Sequence, residues 1–572
     1  MKTRCSRWCF LRRRPFSRLI FRLKDLTTMT NPPPPTIRKR APATVARAKA
    51  HMPSASPPAA SDDTPAVVAD EKSLSTSALA MERLSFTDDA DDTSTPGKEE
   101  QPEQPPEKLV SDAFVQYLAM VIPKKTAPVR VVAIPGKGRG VLAGNRKYAV
   151  GDTLWTETPV VALPFAEDQG STCSWCFKQP AKLSRCTGCK LVVYCNRECQ
   201  SADWSLHKHE CAHLKSNPRV PTIVRFVSRL LQLKNAGALA WDRVQELASA
   251  ELSTSEAEAM ANALFAARGM VSNGAFLPPA EALHLMSQIQ TNGIAIHHLD
   301  TMKGKAEALY LATSLVNHRC HEPNAVPIFT GRTLTLKCLR PINEGDEIVI
   351  NYVEVCAPEW ERRRELADNF HFECGCQLCV SERDLAATVI AAGKEVAQNQ
   401  KRYIPHPVPT NITTMAAYRA AVANPAIDPR QLQDVRRSLV ATLMAVENPD
   451  WPALESLATD LSTTYVEYLG TTHPVTLFFT LPALKARVYL LPEGPTGMTN
   501  DAINEAVFRA AGLRRGYGRW HTSMRMWVAS DSDMRQYEVD EAAKSLETYL
   551  AWMTRQSRTP DLERKAFERL GK

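Results

Sequence analysis

The 572-residue chain has no run approaching the roughly 18 consecutive apolar residues that a membrane-crossing helix needs. Proline, glycine or charge interrupts each of its longest apolar stretches. It also lacks a secretory signal pattern, and it has no net basic surplus beyond the first thirty residues. The formal net charge of +8 is misleading, because residues 1–30 hold nine Lys or Arg against one acid and so carry all of it. The remaining 542 residues are near neutral, so no domain-wide basic field exists to hold nucleic acid. The C2H2 spacing of a base-reading finger is missing, as are a Walker phosphate loop and a dinucleotide-binding glycine fingerprint. Direct DNA binding, a membrane role and nucleotide-fold chemistry are thereby disfavoured.

Cysteine, by contrast, is abundant and clustered. Eight metal-type ligands fall within 39 residues: Cys173, Cys176, Cys186, Cys189, Cys195, Cys199, His207 and Cys211. A Cys-x2-Cys pair places two thiolates on one tight turn, where both reach a single tetrahedral Zn²⁺. Eight ligands fill two such sites and leave no open position, so the sites are structural. A disulfide framework is disfavoured in a long chain with metal-spaced thiols. His209 and His213 are nearby and read as solvated bystanders. A second cluster, Cys374-Gly375-Cys376-Gln377-Leu378-Cys379, supplies three thiols and needs a fourth. Cys320 is the candidate, beside the polar Asn317-His318 pair. Of fifteen cysteines only Cys5, Cys9, Cys338 and Cys356 then remain, which fits a reducing compartment.

Along the chain, the Arg-rich start through Arg22 reads either as a mitochondrial transit peptide or as a basic disordered tail, with a second start available at Met29. Residues 30–108, rich in Pro, Ala, Ser, Thr and Asp, are expected to be disordered. Order is expected from Ser111. Strands are expected at Val129–Ile134, 141–143 and 152–161, and again at 294–297, 326–329, 333–339 and 347–352. Between them, 218–290 reads as helical on the stripe Phe226, Leu230, Leu233 and then Leu283, Met286, Ile289. From residue 381 the pattern is helical, with stripes at Val435, Leu439, Leu443, Val446 and at Ala542, Leu546, Tyr549, Leu550, Met553, though without a clean 34-residue repeat.

Three further segments carry chemistry. They are Gly136-Lys137-Gly138-Arg139-Gly140, Ser314–Asn324 with its Asn317-His318-Arg319-Cys320 core, and Glu344–Tyr352 followed by Phe372. Singly each is weak. A glycine-rich turn is usually a plain hairpin, and a lone tyrosine or histidine is usually core.

The finger spacing resembles the MYND zinc finger. That resemblance implies interleaved pairs: Cys173 and Cys176 with Cys195 and Cys199, and Cys186 and Cys189 with His207 and Cys211. It also implies protein binding, including proline-containing peptides. The ordered set as a whole resembles the SET-and-MYND (SMYD) family of protein lysine methyltransferases over roughly residues 125–380. The fold implied is α+β: a SET-domain β-fold split by the finger, a post-SET zinc site, and a helical TPR-like C-terminal domain. The expected divisions are 1–110 tail, 111–172 first SET part, 173–211 finger, 212–290 helical insert, 291–356 catalytic SET part, 357–380 post-SET and 381–572 helical domain.

The resemblance implies three Zn²⁺, the third on Cys320, Cys374, Cys376 and Cys379. It implies an S-adenosylmethionine (SAM) site at Lys137, Gly138, Arg139, Asn292, Asn317, His318, Tyr352 and Phe372. Tyr352 would be the catalytic tyrosine, and Tyr310 would narrow the lysine channel and limit the number of methyls. The implied activity is methyl transfer from SAM to a lysine of a histone or non-histone protein. The alternative is an inactive SET scaffold serving as a MYND adaptor. A monomer in nucleus or cytoplasm is expected. Two departures stand out: Arg319 replaces the usual Ser, and His321-Glu322 adds one residue before Pro323, so the loop leading to Asn324 must bulge.

Overall fold

The computed structural model describes residues 110–122, 129–180, 182–252, 254–267, 278–297, 304–391, 408–409, 412–425, 427–446, 448–528 and 536–571. The basic start, Met29, the Pro-rich stretch, Cys5 and Cys9 lie outside these residues.

The Ser111 hydroxyl accepts the Phe114 N–H and caps helix α1 (Asp112–Val121). Strands β1 (Arg130–Ile134) and β2 (Gly138–Leu142) form a hairpin in which Ile134 faces Gly138. Its tip turns on Gly136 and Gly138, both at φ +72°, a region closed to most side chains. The expected strand at 152–161 is two strands, β3 (Thr153–Glu157) and β4 (Val161–Pro164). Pro159, which has no N–H for a ladder, separates them.

The finger contains the short pair β5 (Ser184–Arg185) and β6 (Val193–Tyr194), then a helix of 20 residues, α2 (Arg197–Ser216). Helices α3 (Thr222–Asn235), α4 (Leu239–Gln245), α5 (Thr254–Ala267) and α6 (Pro279–Asn292) occupy the segment read as helical. Phe226, Leu230, Met286 and Ile289 are buried, and Leu233 and Leu283 pack against the same core.

Three small sheets build the rest of the α+β region. Strand β7 (Gly293–His297) pairs with β8 (Gly304–Leu309), which also pairs with β4. The periodicity missed β8, because Lys305 and Glu307 give it an amphipathic look although all six of its residues are buried. Strand β10 (Ala325–Thr330) turns into β11 (Thr333–Cys338), which pairs with β3. The third sheet is a two-residue parallel contact between β9 (Asn317–His318) and β12 (Val349–Ile350). Only these two residues of the expected strand at 347–352 are regular.

After α7 (Glu359–Phe370) and α8 (Gln377–Ala391) the chain is helical, as expected: α9 (Met415–Ala423), α10 (Gln433–Met444), α11 (Trp451–Leu469), α12 (Pro474–Tyr489), α13 (Asn500–Met524), α14 (Gln536–Gln556) and α15 (Leu562–Gly571). Val435 and Leu439 are buried and Leu443 is half-buried, but Val446 is 50% exposed because α10 ends before it. Leu546, Leu550 and Met553 are buried and Tyr549 packs beside them, whereas the side chain of Ala542 lies outside what is described. These helices are anchored to the sheets by buried polar groups. Arg437 pairs with Glu354, and Tyr465 donates to the same carboxylate at 3.1 Å.

Candidate active site

The metal ligands assemble first. Cys173, Cys176, Cys195 and Cys199 form one tetrad and Cys186, Cys189, His207 and Cys211 another, each with donor atoms within 4.8 Å of one another. This is the interleaved pattern. Cys320 joins Cys374, Cys376 and Cys379 in a third tetrad of the same compactness. Four thiolate or imidazole donors and no open position fit structural zinc.

The finger is locked to the helical segment by charge buried well away from water. His207 presents Nε2 toward Cys189 Sγ (3.6 Å) while its Nδ1 contacts Glu210 at 3.2 Å, a carboxylate behind the imidazole that fixes its orientation. Arg225 binds Glu210 through two nitrogens (2.7 and 3.0 Å), and Arg229 reaches both Glu210 and Asp203 at 2.7 Å. Burial opposes the charge on Glu210, yet the two guanidiniums hold its carboxyl well below the usual carboxylate range. His209 and His213 belong to neither of the finger's two tetrads.

The third tetrad leads into the chemistry. The parallel contact between β9 and β12 puts His318 beside the turn to Tyr352. His318 Nδ1 accepts the Tyr352 N–H at 2.9 Å, and Nε2 lies 2.9 Å from Cys320 Sγ. The His318 and Tyr352 rings are 5.2 Å apart, with Phe372 6.0 Å from His318 and 6.4 Å from Tyr352. Phe370, which the sequence reading passed over, is closer still to Tyr352 at 4.9 Å. Its signal was the aromatic-x-aromatic spacing Phe370-His371-Phe372. The Tyr352 hydroxyl donates to the Val316 carbonyl.

Asn317 reaches the glycine-rich hairpin, donating Nδ2 to Arg139 O (3.1 Å) and to Glu347 Oε1 (3.0 Å). Gly140 permits this approach, since a Cβ there would stand 2.7 Å from Asn317 Nδ2. Beside the hairpin a cleft of about 680 Å³ opens between Ala133–Arg139 and the wall Glu246–Ser249, with Gly138 and Arg139 in its lining. Lys137 turns away from that lining and pairs with Glu347 at 2.6 Å. Asn292 donates to Ala248 O at 2.7 Å, so it supports the opposite wall.

Tyr310 is fully buried. It donates to Arg332 O at 2.7 Å and its ring packs near Phe329 at 6.2 Å. The residues after it are held by Glu157, which accepts from the Ala312 N–H (2.8 Å), the Thr313 N–H (3.0 Å) and the Thr313 hydroxyl (2.9 Å). Burial raises the Glu157 carboxyl, and these donors oppose the rise.

The unusual loop bulges as required. Glu322 takes the extra residue in the left-handed region at φ +55°. Asn324 donates to Glu347 O and accepts the Val349 N–H, both at 2.8 Å. Arg319 is exposed, and its carbonyl accepts from Asn351 at 2.9 Å.

A family profile described as the MYND finger matches residues 173–211. N-lysine methyltransferase SMYD2 of Gallus gallus is 31% identical over 264 residues, covering 44% of this chain and 60% of that protein. Over this stretch the chain is similar to SET-and-MYND proteins. SMYD2-A of Xenopus laevis is 29% identical over 260 residues, and SMYD2 of Homo sapiens 27% over 259, covering 60% and 59% of those proteins. The chain thus spans about three fifths of the length of the curated relatives it matches. A solved structure titled "Structure of Rubisco LSMT bound to AdoMet" aligns over 80% of this chain and 96% of that one, at 12% identity and a TM-score of 0.29, a fit too loose to assign a fold. Among the described residues, no helix is long and apolar enough to cross a membrane.

Proposed function

We propose that this chain transfers a methyl group from SAM to a lysine side chain of a protein substrate: the neutral ε-nitrogen, its proton lost to water, would bond to the methyl carbon as the carbon–sulfur bond breaks and S-adenosylhomocysteine leaves. One observation carries the reading. The His318–Tyr352–Phe370–Phe372 cluster is tied through Asn317 to the glycine hairpin, which borders a cleft of a size suited to a small cofactor. Gly138 and Arg139 would line the SAM site, with Asn317, His318 and Phe372 around the adenosine and amino-acid ends. Asn292 would support the far wall, and Lys137 would act through Glu347.

The amine must be neutral to attack, whereas free lysine titrates near about 10.4. A desolvated aromatic channel beside a cationic sulfonium lowers that value. Tyr352 then needs no base partner. Alignment and fixed dipoles, from its hydroxyl and from Val316 O, supply most of the acceleration. SAM, when bound, supplies the methyl; the chain supplies geometry. Histones and other proteins present the same lysine chemistry, and proline-containing partners fit the MYND finger. The soluble compartments, nucleus or cytoplasm, and the divisions at residues 111, 173, 212, 291, 357 and 381 belong to the same reading.

The test uses the full chain with isotopically labelled SAM and a panel of histones and lysine-containing peptides. Label on a lysine nitrogen is expected. A chain that holds three zinc ions but does not bind SAM would overturn the enzyme reading and leave the adaptor.

A further inference from the structure

We propose that the zinc finger sets the position of Tyr310. The ring of Trp175 clamps Arg332, and the Arg332 carbonyl holds the tyrosine hydroxyl, so the finger is a positioning element of the lysine channel as well as a docking surface. This rests on the methyltransferase reading above for the role of Tyr310, though the mechanical link stands on contacts alone.

Trp175 lies between Cys173 and Cys176, so closing the first tetrad fixes its backbone on both sides. Its ring carries the Arg332 guanidinium over one face, with Cζ 3.6 Å from the ring centroid. A contact this short is a full cation–π stack. Arg332 and Gly331 form the turn between β10 and β11. Gly331 has φ +59°, and a Cβ there would stand 3.0 Å from Cys176 O, so the turn is pressed against the thiol loop itself. The Arg332 side chain also donates to Pro159 O at 3.4 Å, between β3 and β4.

Arg332 therefore has its side chain held by the finger and by the β3–β4 corner, while its carbonyl receives the Tyr310 O–H at 2.7 Å. Glu157 grips the backbone just beyond Tyr310. The ring is thus defined from two ends, and the hydroxyl end depends on the finger. Trp175 and Arg332 are positioning residues and touch no reacting atom.

The experiment compares full-length wild type with Trp175→Ala, Trp175→Phe, Tyr310→Phe and the Trp175→Ala/Tyr310→Phe double variant. Zinc per chain, SAM affinity by calorimetry and the mono-, di- and trimethyl-lysine ratio by mass spectrometry are read on one histone or peptide methylated by the wild type. Trp175→Ala is expected to keep three zinc ions and SAM affinity. It should shift the methyl ratio in the same direction as Tyr310→Phe, by about threefold or more. Trp175→Phe should restore most of it, and the double variant should add nothing. An unchanged ratio in Trp175→Ala, or additive effects in the double variant, overturns the proposal. If Trp175→Ala loses zinc, Arg332→Met removes the same stack from the other side and is held to the same outcomes. Should the wild type bind no SAM, the enzyme reading fails separately. Hydrogen exchange at residues 310–314 and 330–333 then decides: about tenfold faster exchange in Trp175→Ala supports the link, and unchanged exchange overturns it.

Discussion

The backbone N–H of Tyr352 donates to Nδ1 of His318, and Nε2 of the same ring lies against the Cys320 sulfur, each at 2.9 Å. One imidazole thereby ties the strand that ends in Tyr352 to the third metal tetrad. Nδ1 must be unprotonated to accept, so Nε2 carries the proton toward the thiolate. Replacing Cys320 by Ala is expected to lower zinc from three ions to two per chain. Because the histidine then loses its anchor, SAM affinity should fall by about tenfold or more. Metal analysis with calorimetry checks both; full SAM affinity with two zinc ions would show that the tetrad has no hold on the cofactor site.

Tyr352→Phe separates binding from chemistry. The hydroxyl donates to the buried Val316 carbonyl, and losing it leaves that acceptor unpaired, at a stability cost of about 1–3 kcal/mol. The ring stays between His318 and Phe370, so SAM affinity should change by less than about threefold, while transfer falls by at least about a hundredfold. A stopped assay with labelled SAM and an equilibrium binding curve measure the two quantities. Equal losses in both would place Tyr352 in cofactor binding alone.

What the sequence revealed here is what spacing encodes. Metal ligands must share one atom-sized target, so their intervals are tight, and all twelve fall into the expected tetrads. That the Asn-His pair and Tyr352 come together was expected because they lie in ordered runs with Cys320 and Phe372, and His318 does contact Tyr352. Long-range pairings were not legible. Nothing local announces that Lys137 meets Glu347, 210 residues away, in place of the cleft. Nor does it show that Asn292 braces a wall, or that Glu157 holds Ala312 and Thr313. Strand β8 was missed because Lys305 and Glu307 imitate a solvated face. Lys305 is buried against Asp168, whereas Glu307 is buried with a carboxylate oxygen that has no hydrogen-bond partner among the described residues.

Gly140→Ala tests the hairpin's approach to Asn317. The added methyl would meet Asn317 Nδ2 and Ile134 Cγ1, each at 2.7 Å. Both belong to packed elements, so one must shift, and the bond from Asn317 to Arg139 O is the weaker restraint. SAM affinity should drop by about tenfold with three zinc ions retained. An unaffected affinity would mean that the hairpin does not border the cofactor.

Acid stability is expected to depend on His473. Its Nδ1 accepts the Val475 N–H at 3.2 Å and caps α12, and burial, assisted by Arg340, depresses its pKa from 6.5 to about 3. Between those values the unfolded chain binds a proton that the folded chain refuses. Its contribution is therefore present above pH 6.5 and lost as pH falls toward 3, at about 1.4 kcal/mol per pH unit. Asn at this position keeps a capping acceptor without titrating. Denaturant titrations at stepped pH should show a shallower acid slope for His473→Asn than for wild type, and identical slopes would count against a buried neutral ring.

Glu307 gives the opposite sign at the alkaline side. It lies on β8 beneath the end of α6, fully enclosed, with Oε2 lacking a hydrogen-bond partner among the described residues and Oε1 so near Gly293 that a Cβ there would stand 2.6 Å from it. Burial raises its pKa from 4.5 to about 8. The carboxyl is at ease while protonated, so its contribution is fully present below pH 4.5. As pH rises toward 8 the unfolded chain releases a proton that the folded chain retains, and stability declines. Above pH 8 the fold must carry the buried charge. Glu307→Gln has the same shape and no charge to bury. It should match wild type near pH 5 and exceed it progressively, by on the order of 3 kcal/mol at pH 9. Its amide would be as poorly partnered as the acid, which trims the gain without changing its sign. Melting curves of both chains from pH 5 to 9 decide the matter: a constant difference across that range would mean the carboxylate finds a counter-charge on folding.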